Sequence, residues 1–139
     1  RPLSRHMQRL VIALLAAGLA VGLGACGQSL SEVKVDDSKN GQSVQVHVGD
    51  TVKVTLNSTY WTFDQSSDPL VLKELGDQVV TSDPMGSCLP GMGCGVTAAW
   101  YKAVSVGSAT VSASRVSCGE ALRCLGNQGT YRVTVAVSA

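Results

Sequence analysis

The chain has 139 residues, 45% hydrophobic, 15% charged and 4% aromatic, with 11 Lys and Arg against 10 Asp and Glu. That is enough for one domain of ordinary size with a core of its own. The charges nearly balance and form no basic stripe, which excludes a nucleic-acid binder held by phosphate contacts.

Residues 1–6, RPLSRH, read as an upstream extension and stand outside the fold argument. From Met7 onward, one basic residue, Arg9, precedes an apolar run from Leu10 to about Leu23. The run is short and rich in small residues, which fits the core of a secretory signal better than a membrane-spanning helix. It ends in Leu23-Gly24-Ala25-Cys26, which resembles the lipobox of bacterial lipoproteins. The resemblance implies a signal peptide over residues 1–25 and a covalent diacylglycerol and acyl chain on Cys26, the first residue of the mature chain. An ordinary secretory signal, or an uncleaved anchor helix, is the alternative. Two or more acyl chains hold a protein stably where one holds it marginally. The expected location is therefore the outer face of the bacterial cytoplasmic membrane. Cys26 and its tether take residues 26–31, and the tether is short: the five residues from Gly27 to about Ser31, at about 3.5 Å each, reach under 20 Å. Arg1, Arg5 and Arg9 precede Cys26, leaving 8 basic against 10 acidic residues, a mature net charge of 8 − 10 = −2.

The domain proper is expected over residues 32–139. SVQVHV (43–48) alternates, with Val44, Val46 and Val48 on one face. Gly49-Asp50 is a turn pair. TVKVTL (51–56) alternates again through Val52, Val54 and Leu56, so the two segments read as a hairpin. YWTF (60–63) reads as a short aromatic strand. LVLKEL (70–75) and QVV (78–80) flank Gly76-Asp77. A long loop from about Ser82 to Gly95 holds two prolines, four glycines and two cysteines. VTAAWYKAV (96–104) is a strand. SATVSAS (108–114) is another, with Ala109, Val111 and Ala113 inward. A second cysteine loop follows, in which CGEALRC has room for one helical turn. TYRVTVAV (130–137) closes the chain through Tyr131, Val133, Val135 and Val137. Seven or eight short strands, closely spaced turns and almost no helical periodicity predict an all-β, immunoglobulin-like antiparallel β-sandwich.

Five cysteines less Cys26 leave four, an even number suited to disulfides in an exported chain. Of the three possible pairings, Cys88–Cys94 and Cys118–Cys124 are favoured over crossed pairs because each short ring closes without help from the fold. Both loops join strands and have room to sit at the same end of the sandwich.

From Ser43 to Val137 the sequence resembles the chagasin family, immunoglobulin-like inhibitors of papain-like cysteine peptidases. VHVGDTVKVTL resembles the family's opening hairpin, SSDPLVLKELGDQVV its next strand pair, and AAWYKAVSVGSATVSASR its late hairpin. The family binds through three loops at one end. The resemblance places Asn57, Ser58 and Thr59, with Trp61 following, where the family carries N-P-T-T-G. It places Gly91, Met92 and Gly93 on the G-x-G-G loop, and Arg115 at the start of the third. The Pro and Gly of the first motif are absent, and Val116-Ser117 replaces Pro-Trp in the third. The implied function is non-covalent occlusion of a cysteine peptidase cleft by a monomeric, membrane-anchored domain, with no catalytic residue, no metal and no cofactor beyond the lipid. The rival expectation is an accessory lipoprotein docked on subunits of a larger membrane complex. On either view the disulfides pre-organise a binding surface or protect two exposed loops from proteolysis.

Other constellations carry less. His47 lies on the face opposite the valines and reads as solvated. Nothing places a carboxylate and a nucleophile beside it as a catalytic triad requires. Five-residue gaps between cysteines exceed the spacing of zinc pairs. The glycines around Met92 lack the strand, helix and Lys-Ser/Thr of a phosphate loop. Asp36-Asp37 reads as a solvated turn. Trp100 reads as core, and Trp61 as core or binding rim.

Overall fold

The computed structural model describes residues 30–83 and 88–139. The expected signal peptide and Cys26 lie outside the described residues. In chain order the strands are β1 (Glu32–Val35), β2 (Ser43–His47), β3 (Thr51–Asn57), β4 (Thr62–Phe63), β5 (Leu72–Glu74), β6 (Val79–Ser82), β7 (Gly95–Ala103), β8 (Gly107–Ser114), β9 (Ser117–Gly119), β10 (Leu122–Arg123) and β11 (Thr130–Ser138). One 3-10 turn, Asp37–Lys39, joins β1 to β2. The first sheet runs β1-β3-β7-β5, with β6 also on β7; the second runs β2-β11-β8-β4. The ribbon β9–β10 stands apart from both.

Strict alternation makes the two layers. In β3, Val52, Val54 and Leu56 are fully buried while Thr51, Lys53 and Thr55 face outward. In β8 and β11, Ala109, Val111, Ala113, Tyr131, Val133, Val135 and Val137 supply the opposite wall. Tyr101, Leu72 and Val46 complete the filling. Each fully buried large apolar side chain stabilises by roughly 1.5–3 kcal/mol relative to exposure. Among the described residues this core and both sheets lie within Glu32–Ser138 as two packed layers.

The inward faces are those expected from the sequence; several pairings are not. The segments at 43–48 and 51–56 are not a hairpin. β2 pairs with β11, and β3 with β1 and β7, in different sheets. The crossing takes one peptide step: the Val48 N–H donates to Ser138 O (2.8 Å), and the Gly49 N–H donates to Ala103 O (2.8 Å) across the sandwich. Gly49 has φ +98°, which a side chain would strain. The Asp50 carboxylate fixes the corner, accepting from His47 N–H (2.9 Å) and from the N–H and hydroxyl of Ser31 (both 3.3 Å). These bonds hold its carboxyl below the usual carboxylate range, the His47 amide most of all.

The segments around Gly76 are likewise one strand and not a pair. β5 and β6 both run antiparallel to β7, along the same edge. Residues 75–78 bulge out opposite only Ala99 and Trp100. Counted so, the two sheets hold eight strand lines. They include two parallel contacts, β1 with β3 and β2 with β11, where an antiparallel sandwich was expected. The room for a helical turn at 118–124 is taken by the β9–β10 ribbon, with Ala121 at φ +53°. The aromatic strand shrinks to Thr62–Phe63. Trp100 is half-buried on the outer face with the Lys53 ammonium 5.1 Å from its ring centroid, and so is not core.

This topology sorts the connections to two ends. Ser31, Asp50 and Ala103 meet at the entry end. At the other, Asn57 pairs with Val96, Ser82 with Gly95, and Ser114 with Thr62 and Thr130. The seven residues of β3 put roughly 20 Å between the ends.

Candidate functional site

Three loops leave the far end: residues 57–61, a second described from Cys88 to Cys94, and 115–129. The described residues hold two disulfides, Cys88–Cys94 in the second loop and Cys118–Cys124 in the third, with Cα atoms 6.0 and 4.9 Å apart. The local pairing expected from the spacing is the pairing found.

The first loop is braced on all sides. Ser58 N–H donates to Gly95 O and Thr59 N–H to Gly93 O, each at 2.9 Å, tying it to the second loop. Tyr60 hydroxyl donates to Gly91 O. Within the loop, Tyr60 N–H donates to Ser58 Oγ (3.1 Å), and Ser58 O accepts the Thr97 hydroxyl (2.9 Å). Ser58 adopts φ +109°, a conformation unusual for a residue with a side chain and held here by these bonds. Asn57 N–H donates to Asp37 Oδ2 (3.0 Å), so the 3-10 turn supports the loop from behind. Gly93 is required by space: at φ +71° a Cβ would collide with the Tyr60 ring.

Trp61 lies beneath the site. Its ring is buried, meets Tyr131 edge-on at 6.5 Å between centroids, and donates Nε1–H to Asn57 O (2.9 Å). Arg115 covers it, with the guanidinium carbon 4.5 Å from the ring centroid and Nε–H donating to Gln128 O (3.2 Å). A half-buried cation on an indole is worth on the order of 1 kcal/mol. Arg115 thus ties the third loop to the first. The Glu120 side chain closes the ring of loops by lying next to Gly91.

The structure therefore brings Asn57, Ser58, Thr59, Gly91, Met92, Gly93 and Arg115 to one end, with the 57–61 loop between the other two. Trp61 buttresses this group and shows little surface of its own. Tyr60 and Glu120, which bridge loops, were not singled out from the sequence; Tyr60's partner lies 31 residues away. The rim is apolar. Leu89, Met92, Val116, Leu122 and Leu125 all stand exposed on the two stapled loops.

No protein-family model matches the chain, and no curated protein matches it. Solved structures do. The crystal structure of the cysteine protease inhibitor EhICP2 from Entamoeba histolytica superposes with a TM-score of 0.55 at 10% identity, covering 81% of this chain and 100% of that one. The solution structure of amebosin superposes with a TM-score of 0.53 at 14% identity, covering 77% and 98%. The likeness is one of fold: this chain shares the two-layer β-sandwich of those two structures.

Proposed function

We propose that the domain is a protein-binding module that inhibits a papain-like cysteine peptidase by occupying its cleft, non-covalently, through the three-loop end. The observation that carries this reading is the bracing of that end. Three loops from separate strand connections are bonded to one another, two are stapled, and the tips present exposed apolar side chains. Loops fixed beforehand lose less entropy on binding, and apolar tips supply the buried area a protein partner needs. The cysteine protease inhibitor EhICP2, which shares this fold, supports the same class of partner. Asn57 to Thr59 form the central wedge, Gly91 to Gly93 approach on one side and Arg115 with its loop on the other. Glycine there lets backbone come close to a partner surface. No residue performs chemistry; inhibition is steric.

The domain is delivered, in this reading, by export and lipidation of Cys26, which would hold it at the outer face of the cytoplasmic membrane. A second reading, an accessory subunit docked on a membrane complex, is favoured by the replacement of Pro and Gly in the first loop and by Val116-Ser117 after Arg115. Titration of papain with the mature chain tests the first. Inhibition at micromolar concentration or tighter supports it. Absence of inhibition, with co-purification of membrane subunits, replaces it by the second.

A further inference from the structure

The outer face of the first sheet and the entry end carry features that the loop site does not use. β1, β3, β7 and β5 lie side by side, and the register sets their outward residues in rows. Glu32 faces Thr51, Thr51 faces Lys102, and Lys102 faces Lys73. One row further on, Lys34 faces Lys53 and Lys53 faces Trp100. Four lysines and an indole thus share a patch in which Glu32 is the one acidic member of those rows. Half of the eight basic residues after Cys26 sit here, although the same stretch carries a net charge of −2. Lys34 and Lys73 are exposed; Lys53 and Lys102 are half-buried.

The adjoining entry end is apolar. Leu70, Val104, Val106 and Leu30 stand 80%, 46%, 62% and 69% exposed. They gather around one corner: Leu30 lies over Gly49, Gly49 bonds Ala103, and Ser105 hydroxyl donates to Leu70 O (2.6 Å). Leu30 is four residues from Cys26.

We infer that this corner rests on an anionic lipid surface, with Lys34, Lys53, Lys73 and Lys102 meeting the headgroups and the entry-end Leu and Val side chains entering the interface. The short chain between Cys26 and Leu30 and the segregation of positive charge choose a bilayer as the occupant. Trp100 suits the interfacial depth, where an indole is half wet. The three-loop end, some 20 Å away along β3, then points off the membrane toward soluble partners.

The inference rests on the anchored reading only for bringing the bilayer near, and the test separates the two. The chain from Cys26 onward, with Cys26→Ser so that no lipid can be attached, is sedimented with vesicles of phosphatidylglycerol and phosphatidylcholine, and with phosphatidylcholine alone. Binding is expected to the anionic vesicles only, and to fall with salt. Lys34→Gln with Lys73→Gln is expected to weaken it by about 25-fold, since each surface lysine contributes about fivefold. Both side chains are exposed, so the fold should be unchanged by circular dichroism. Arg123→Gln with Arg132→Gln, which removes exposed cations elsewhere, should leave binding as it was. Equal loss in the two double variants, no preference for anionic lipid, or capture of a soluble acidic protein in place of vesicles overturns the inference. Mass spectrometry of the native chain decides the lipidation of Cys26 independently.

Discussion

Asp50 shows how much one side chain can decide. It is buried at the corner where the chain changes sheet, and its carboxylate accepts from His47 and Ser31. Asp50→Ala removes the charged acceptor of these bonds and should lower stability by about 1–3 kcal/mol in urea melts at neutral pH. The carboxyl is held below its usual range in the folded state. Its contribution is therefore complete above that range and vanishes as pH falls through the folded-state value. The gap between wild type and Asp50→Ala should be widest at neutral pH and close in strong acid. At the loop end, Gly93→Ala pushes a Cβ at the Tyr60 ring while leaving both sheets intact. It should reduce peptidase inhibition at least tenfold with little change in melting temperature; an equal effect on both would place Gly93 in the scaffold. That Gly91, Gly93 and Arg115 lie at one end of the sandwich was legible through resemblance alone. Tyr60 was not, because its role appears only when a distant loop is folded against it.

For elements, periodicity resolved faces and left pairing open. The valines of β2, β3 and β11 fall inward as alternation demands. Alternation is silent on which strand lies beside which, so the Gly49-Asp50 turn read as a hairpin when it is a corner between layers. β5 and β6 misled for a related reason: Gly-Asp marks a turn and a bulge equally well. β7 is apolar on both faces over residues 98–101, and this hid the fact that Trp100 points outward. The disulfides were legible because rings with a sequence separation of 6 close locally. They cross-link no two strands of the large sheets. Reduction should cost each ring about 2 kcal/mol at most. Amide exchange should accelerate in residues 88–94 and 118–124 while β3, β8 and β11 stay protected, and loss of protection throughout would contradict this account.

On the scale of the whole molecule, one hydrophobic layer joins the two sheets. Leu56 lies fully buried in it at the loop end of β3. Leu56→Ala should cost about 2–5 kcal/mol, read from chemical denaturation. Domains of this size have only about 5–15 kcal/mol in all, so the variant should melt well below the parent. The all-β sandwich was legible in full from strand spacing and turn residues. Its edges were not, since the parallel contacts of β1 and β2 join segments with at least one whole strand between them in the chain.

The pairing of β2 with β11 has a kinetic side. Ser43 to His47 find their neighbour only at Thr134 to Ser138, close to the C-terminus, and β8 leans on the same strand. A nascent chain lacking those last residues has nothing to complete its second layer. Refolding should take milliseconds to seconds, as for other folds built on non-local contacts. The second layer then waits for Thr130 to Ser138, and until they arrive β2 and β8 lack the strand that joins them.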